Sequence, residues 1–270
     1  MFRTRTARRA AATAAIAGAL GLLGFGVYEA AEQPTNQIFG RTLTHGPANE
    51  RVVALTFDDG PNPPYTDRIL DVLEREHVPA TFFVVGRAVA AYPNVVRRER
   101  RDGDAIGNHT WSHGHLIVMT RSQIRASLQR TDAEIYKAAH VRTRLMRPPF
   151  GARDWLVMQA VRSLGYTVVM WNVPLPRDWE DPPPATIAQR VLPYVGDGAI
   201  IVLHDGNRGL ICGRSRTAPQ LCDRTNDIEA TELIVRALKS RGYRFVTIPQ
   251  LASLRPHAVR TPNPAGLRPE

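Results

Sequence analysis

The sequence predicts an α/β fold, a distorted (β/α) barrel of about seven parallel strands, and three observations carry that expectation. Short apolar runs rich in β-branched and aromatic residues recur from Val52 to Ile248, and amphipathic stretches of helical length separate many of them. The unusual polar residues gather just after these runs, at what would be the carboxyl edge of a parallel sheet. A length of 270 residues with 43% hydrophobic and 22% charged content suits one large α/β domain and gives no sign of wholesale disorder.

Each element has its own signal. The run "VVALTF" (52–57) is followed by the amphipathic "YTDRILDVLEREH", then by the runs "ATFFVV" and "DAIGN". The stretch "SQIRASLQRTDAEIYKAA" leads to "RLMRP", and "RDWLVMQAVRSLG" leads to "YTVVMW". The last pair of runs, "AIIVLH" and "YRFVTI", flanks "NDIEATELIVRALKSRG". Strands covered by helices on both faces read as nearly continuous apolar runs, as these do. Gly103, Gly165 and Gly242 stand just ahead of a run, where a left-handed residue would end the preceding helix and turn the chain back.

The flanks differ in character. Arg3, Arg5, Arg8 and Arg9 precede an apolar run from Ala10 to Val27, so residues 1–28 read as a signal peptide or N-terminal membrane anchor. The chain is therefore expected to be exported, extracellular or at the cell surface, either secreted or held at the membrane. Residues 29–50 are polar and mixed and read as a linker, residues 51–254 as the catalytic domain, and the Pro- and Arg-rich 255–270 as a disordered tail. The formal charge of +10, or +6 without the four leading arginines, favours polyanions such as wall polymers or anionic lipid. The basic residues are scattered, without a stripe of arginines and interleaved aromatics, so no nucleic-acid partner is expected. No protein partner is indicated either. Cys212 and Cys222 lie close together in a polar segment, where an exported chain would form a local disulfide; two free thiols are the other reading.

Asp58 and Asp59 follow the first run, Asn108 and His109 the third, Arg147 the fourth, Trp171 the fifth, and His204 and Asp205 the sixth. In parallel β/α folds that edge carries the chemistry. His109 and His113 are four apart, a spacing that would put both imidazoles on one face of a helical turn, able to share a metal with a carboxylate from a neighbouring strand. Taken alone, Asp-Asp-Gly is also an ordinary turn signal, and a pair of histidines is more often structural than ligating.

The ordered set resembles the NodB homology domain of the polysaccharide deacetylases, carbohydrate esterase family 4, over about residues 51–254. "TFDDG" (56–60), "HTWSH" (109–113), "RPPFG" (147–151) and "LHD" (203–205) are similar to its first, second, third and fifth motifs. The resemblance implies a metal-dependent hydrolase that removes N-acetyl groups from N-acetylglucosamine-containing glycans of the chitin or peptidoglycan type. It implies Asp58 as general base, paired with Arg147, and His204 as general acid, with Asp178 orienting or tuning it. Asp59, His109 and His113 would hold the metal, the Phe150 backbone N–H would meet the oxyanion, and Trp179 and Val202 would wall the acetyl pocket. Zn²⁺ suits this donor set best, and Co²⁺ or other divalent ions accept it too. His115 reads as a neighbour of the ligands, and Trp111 as a packing residue.

The sequence departs from the family chiefly in two places, beside a milder change, Val202 where the fifth motif has Leu, which keeps the pocket apolar. In "WNVPLPRDWED" Asp178 and Trp179 are retained, but Pro174 or Leu175 stands where the fourth motif has an earlier Asp. An O-acetyl esterase acting on acetylxylan, or another amide hydrolase, is therefore an alternative, as is a non-catalytic glycan-binding module. After His204 the loop "DGNRGLICGRSRTAPQLCDRTND" is extended, and Arg208, Arg214, Arg216 and Arg224 are candidates to meet an acidic glycan; a tolerated surface insertion is the other reading.

Overall fold

The computed structural model describes residues 33–211 and 219–254. The N-terminal apolar run, Cys212, Arg214, Arg216 and the tail after Leu254 lie outside the described residues. Strands β1 (Val52–Asp58), β2 (Thr81–Val84), β3 (Ala105–Asn108), β4 (Leu145–Met146), β5 (Thr167–Val168), β6 (Ala199–His204) and β7 (Arg244–Phe245) form one sheet. The order is β5-β4-β3-β2-β1-β6, with β7 also paired to β1, and every pairing is parallel. Six of the seven fall within the predicted runs and β1 overruns its run by Asp58 alone, so the expected parallel α/β fold is what the chain adopts.

Helices α1 (Tyr65–Glu76), α2 (Gly86–Ala91), α3 (Pro93–Arg101), α4 (Arg121–Ala139), α5 (Trp155–Ser163), α6 (Pro184–Val191), α7 (Thr225–Ser240) and α8 (Ile248–Ser253) surround the sheet. The amphipathic pattern identified α1, α4, α5 and α7; the shorter α2, α3, α6 and α8 were not singled out. Thr120 caps α4 by accepting the Gln123 N–H while Gln123 reaches back to the Thr120 N–H, a capping box, and Gly103, Gly165 and Gly242 all take positive φ ahead of their strands. No described helix is long and apolar enough to cross a membrane.

Two apolar layers follow from the alternation of side chains along the strands. Val53, Leu55 and Phe57 of β1 join Ile201 and Leu203 of β6 in one core with α1 and α7. Val52 and Ala54 join Ile200 and Val202 in the other, with Leu128 of α4 and Val161 of α5. Continuing that second parity past the apolar residues brings Thr56 and Asp58 of β1, and His204 of β6, onto one face of the sheet.

The described part of the linker segment is packed against this sheet. Leu43 forms a parallel bridge with Val169, giving its N–H to Val168 and accepting that of Met170, and the Gly46 N–H reaches the Gly198 carbonyl just before β6. The Asn172 amide oxygen accepts the Ile200 N–H at 2.9 Å, so the curled sheet is drawn together between its β5 and β6 edges. Arg153, enclosed though charged, donates to the carbonyls of Gln33, Pro34 and Asn36.

Candidate active site

Asp58 ends β1 opposite His204, its Cα partner on β6. Arg147, fully buried one residue after β4, donates from Nη1 to Asp58 Oδ1 at 2.7 Å and to Thr56 Oγ1 at 2.9 Å. Its other nitrogens reach the carbonyls of Val169 and Met170, and its guanidinium lies 4.2 Å from the Phe83 ring centroid. Every contact therefore fixes the fork that presents Asp58. Thr56 completes the arrangement by donating its hydroxyl hydrogen to the Ile201 carbonyl.

The next residue turns the other way. Asp59 has φ of +80°, which swings its carboxylate from the strand face toward His109 and His113. Asp59 Oδ1 lies 3.1 Å from His113 Nε2 and 3.5 Å from His109 Nε2, while Oδ2 accepts the Arg208 N–H at 2.6 Å. The two imidazoles do not ride on a helical turn as their spacing suggested. Thr110 and His113 take φ of +69° and +57°, so the segment is a tight irregular loop. Asn108 builds it: its Oδ1 accepts the Thr110 N–H, and its amide nitrogen donates to Leu128, Asp132 and Tyr166.

The donor set fits a divalent transition ion. His109 Nδ1–H donates to the Arg147 carbonyl at 2.8 Å, which leaves the Nε2 lone pair aimed toward Asp59. Burial pushes the His113 imidazolium down to about 4, with Asp59 opposing, so this ring is neutral at pH 7. Asp59 Oδ1 is buried without a hydrogen-bond partner, and one donor atom from each of Asp59, His109 and His113 lies within 4.8 Å of the others. Burial would raise the Asp59 carboxyl, but the contact with His109 and the neighbouring His113 and His204 side chains outweigh it and hold it below the ordinary carboxylate range. An anionic oxygen facing the Nε2 atoms of two imidazoles is a cation site by the chemistry of its donors.

Across the cleft, His204 Nδ1–H faces Asp178 Oδ1 at 2.9 Å and Oδ2 at 3.1 Å, and the His204 backbone N–H donates to the same carboxylate at 2.7 Å. Burial would lower His204, yet Asp178, Asp59 and Asp58 raise it to about 9. Trp179 stands edge-on to the imidazole at 5.3 Å. Asp205 binds the Gly60 N–H and the Thr66 hydroxyl, tying the loop after β1 to β6, with its carboxyl raised to about 7 by burial and by Asp59 and Asp58.

These groups line a cleft of about 280 Å³ that also takes in Phe150, Trp171, Leu175, Trp179, Val202 and Arg208. Phe150 has φ of +61°, and its ring stands edge-on to His113 and stacks on His115. Trp111 packs under the Arg130 guanidinium, away from the cleft. Leu175 occupies the wall where the fourth motif would bring an Asp. Of the four loop arginines, Arg208 lines the cleft, whereas Arg224 is buried 3.6 Å from Asp227 and is not offered to a glycan, correcting that expectation. Sequence reasoning also missed Thr56 and the Arg208 N–H, because each acts through a contact between segments distant in sequence.

Comparison with known proteins agrees with this geometry. Residues 45–169 match the family model described as polysaccharide deacetylase. The chain is 35% identical to the peptidoglycan-N-acetylmuramic acid deacetylase PdaC of Bacillus subtilis, over 77% of this chain but only 40% of that protein. It is 34% identical to a peptidoglycan-N-acetylglucosamine deacetylase of Bacillus cereus, covering 76% of this chain and 90% of the relative. It is 36% identical to a chitooligosaccharide deacetylase of a Bradyrhizobium strain, covering 74% and 90%. The crystal structure of the Bc1960 peptidoglycan N-acetylglucosamine deacetylase superposes with a TM-score of 0.69 at 31% identity, over 78% of this chain and 92% of that one. The chain belongs to the polysaccharide deacetylase family of hydrolases.

Proposed function

We propose that this protein is a metal-dependent N-deacetylase, releasing acetate from N-acetylglucosamine-containing polysaccharide or oligosaccharide. The observation that carries the reading is the facing pair: Asp58 gripped by Arg147 on one side of the cleft, His204 held by Asp178 on the other, and a three-donor cation site beside them. Relatives named as deacetylases of peptidoglycan and chitooligosaccharide support it.

A divalent ion held by Asp59, His109 and His113, with Zn²⁺ favoured, would supply Lewis acidity that activates water and polarises the amide carbonyl. Asp58 Oδ takes the proton of the attacking water, with Arg147 fixing the direction of its lone pairs. The Phe150 N–H, carried on a left-handed residue at the cleft wall, donates to the developing oxyanion. His204, protonated at neutral pH, gives its proton to the departing nitrogen, which is a poor leaving group until charged. Trp179 and Val202 give the acetyl methyl an apolar wall. The reading includes export directed by residues 1–28, either cleaved or retained as an anchor, and a Cys212–Cys222 disulfide, which suits the only two cysteines of an exported chain.

Acetate release from chitin oligomers, peptidoglycan and acetylxylan, with and without chelator, tests the assignment. Release from the first two, abolished by chelator, is expected; release from acetylxylan alone would overturn it in favour of an O-acetyl esterase. Leu175 in the fourth-motif wall favours keeping that second reading in the panel. Glycan binding that is the same in parent and Asp58→Asn, with no turnover by the parent, would instead point to a binding module.

A further inference from the structure

Three consecutive residues, Val85, Gly86 and Arg87 at the start of α2, touch every segment that carries the cation site. The Val85 N–H donates at 2.9 Å to the carbonyl of Gly60, the residue after Asp59. Gly86 and Arg87 give their N–H groups to the carbonyls of Thr110 and Trp111, at 2.9 and 3.0 Å, inside the loop between His109 and His113. The Arg87 side chain turns to a third segment, the loop after β6. Its Nε donates to the Gly209 carbonyl at 2.5 Å and its Nη2 to the Arg208 carbonyl at 2.8 Å. On the other side of the same residue, the Arg208 N–H donates to Asp59 Oδ2 at 2.6 Å. A continuous chain of hydrogen bonds therefore runs from the Arg87 guanidinium through the Arg208 backbone to the carboxylate.

We propose that Arg87 is a positioning residue for the cation site: it holds the Arg208 N–H on Asp59 Oδ2, so that Oδ1 is presented in one fixed direction toward the Nε2 atoms of His109 and His113. The inference rests on the reading of Asp59, His109 and His113 as the metal ligands. Arg208 and Gly209 both take positive φ, +47° and +64°, and a Cβ on Gly209 would lie 2.4 Å from Val85 Cγ1. A left-handed arginine is not held there by its own preference, so the bend needs the clamp on its carbonyls. The Arg208 side chain takes no part, its guanidinium lying 5.5 Å from the Phe150 ring centroid. The far end of the loop is tied as well, Asn207 donating to the Leu221 carbonyl and Asn62 to that of Cys222, each at 2.9 Å. A carboxylate free to rotate must be ordered as the ion binds, whereas one tied by its second oxygen is ordered beforehand. The first residues of the extended loop after His204 thus belong to the site and are more than a tolerated insertion.

Zinc affinity is the readout that separates this from a purely structural role. The full-chain parent, Arg87→Met, which keeps the aliphatic stem but removes both donors, and Arg87→Lys, which keeps the charge with a single donor head, are stripped of metal and titrated with Zn²⁺ against a competing chelator. Arg87→Met is expected to bind about 10-fold more weakly, the lower end of the loss seen when a group that orients a metal ligand is removed, and Arg87→Lys to fall between. A residue that only supports the fold would lower the melting temperature of the metal-free chain and leave the affinity of the folded protein alone. An Arg87→Met affinity within about twofold of the parent therefore overturns the proposal. Hydrogen exchange at the Arg208 amide in the metal-free chain gives a reading that needs no ion. It is expected to quicken about 10-fold or more in Arg87→Met, and an unchanged rate overturns the clamp even if affinity falls. A parent that takes up no Zn²⁺ would sink the ligand assignment itself, while the exchange rate would still judge the clamp. Should Arg87→Met not fold, Arg87→Gln, too short to reach both carbonyls, is read by the same two measurements.

Discussion

Asp58 and His204 are Cα partners across the parallel pairing of β1 and β6, so the proposed base and acid sit on adjacent strands at the same height. Their separation is set by backbone ladder geometry, and each has its own buried partner, Arg147 for Asp58 and Asp178 for His204. The two can therefore be perturbed independently.

Arg147 is the most constrained of the four. Replacing it with Met removes the charge that faces Asp58 and strands a carboxylate in a buried site, a loss of about 3–5 kcal/mol for groups this enclosed. Urea denaturation of Arg147→Met should show that drop, and Arg147→Lys should recover part of the stability but not the fork geometry. A Met variant as stable as the parent would mean that Asp58 does not depend on Arg147.

The adjacent carboxylates should separate by metal content. Asp59→Ala is expected to purify with little bound metal, because it loses the oxygen that faces both imidazoles, while Asp58→Asn keeps its metal and loses turnover. Elemental analysis of the two purified variants is the measurement. Retention in the first and loss in the second would show the roles reversed.

His204 makes alkaline stability a readout. Its pKa rises from an ordinary 6.5 to about 9, so its contribution is fully present below pH 6.5 and is lost as pH climbs through about 9. In the metal-free protein the difference in unfolding free energy between parent and His204→Asn should shrink by about 3 kcal/mol or less over that window. A difference independent of pH between 6 and 10 would sink the assignment of a charged His204–Asp178 pair.

Glu99 works in the opposite sense to a salt bridge. It is fully enclosed in α3 with no partner for either carboxyl oxygen, and burial, followed by repulsion from Asp205 and Asp104, raises its pKa well above 4.5. A raised carboxyl gives stability that is present below its unfolded pKa and is lost as pH rises toward the folded one. Glu99→Met should accordingly be more stable than the parent by about 1–3 kcal/mol at pH 8, with the gain narrowing toward pH 4. Thermal melts across that range would expose an error if the gain were constant or reversed.

Most of the fold was legible because parallel strands buried on both faces leave nearly uninterrupted apolar runs, and the seven strands lie within such runs except for Asp58 at the carboxyl end of β1. The rim residues were legible for a related reason: Asp58, His109, Arg147 and His204 each close or follow a run, where a polar residue has no packing role. The path from His109 to His113 was not, since the same spacing suits a helix, and only Asn108 with its partners Asp132 and Tyr166 selects the left-handed loop. Nor was the burial of Arg224, which looks like any other loop arginine until α7 seats Asp227 beside it. Contacts of that kind join residues whose separation along the chain carries no periodic signal.

The bridge from Leu43 to Val169, with Gly46 reaching Gly198, bears on how the chain avoids its neighbours. A sheet whose outer strands end in free N–H and carbonyl groups is a template for other chains to add to. Here the lead-in segment occupies some of those positions, and a protein shortened to begin at Arg51 would uncover them beside β5 and just before β6. The aggregation state of such a shortened form would then be governed by a segment that lines neither the cation site nor the cleft.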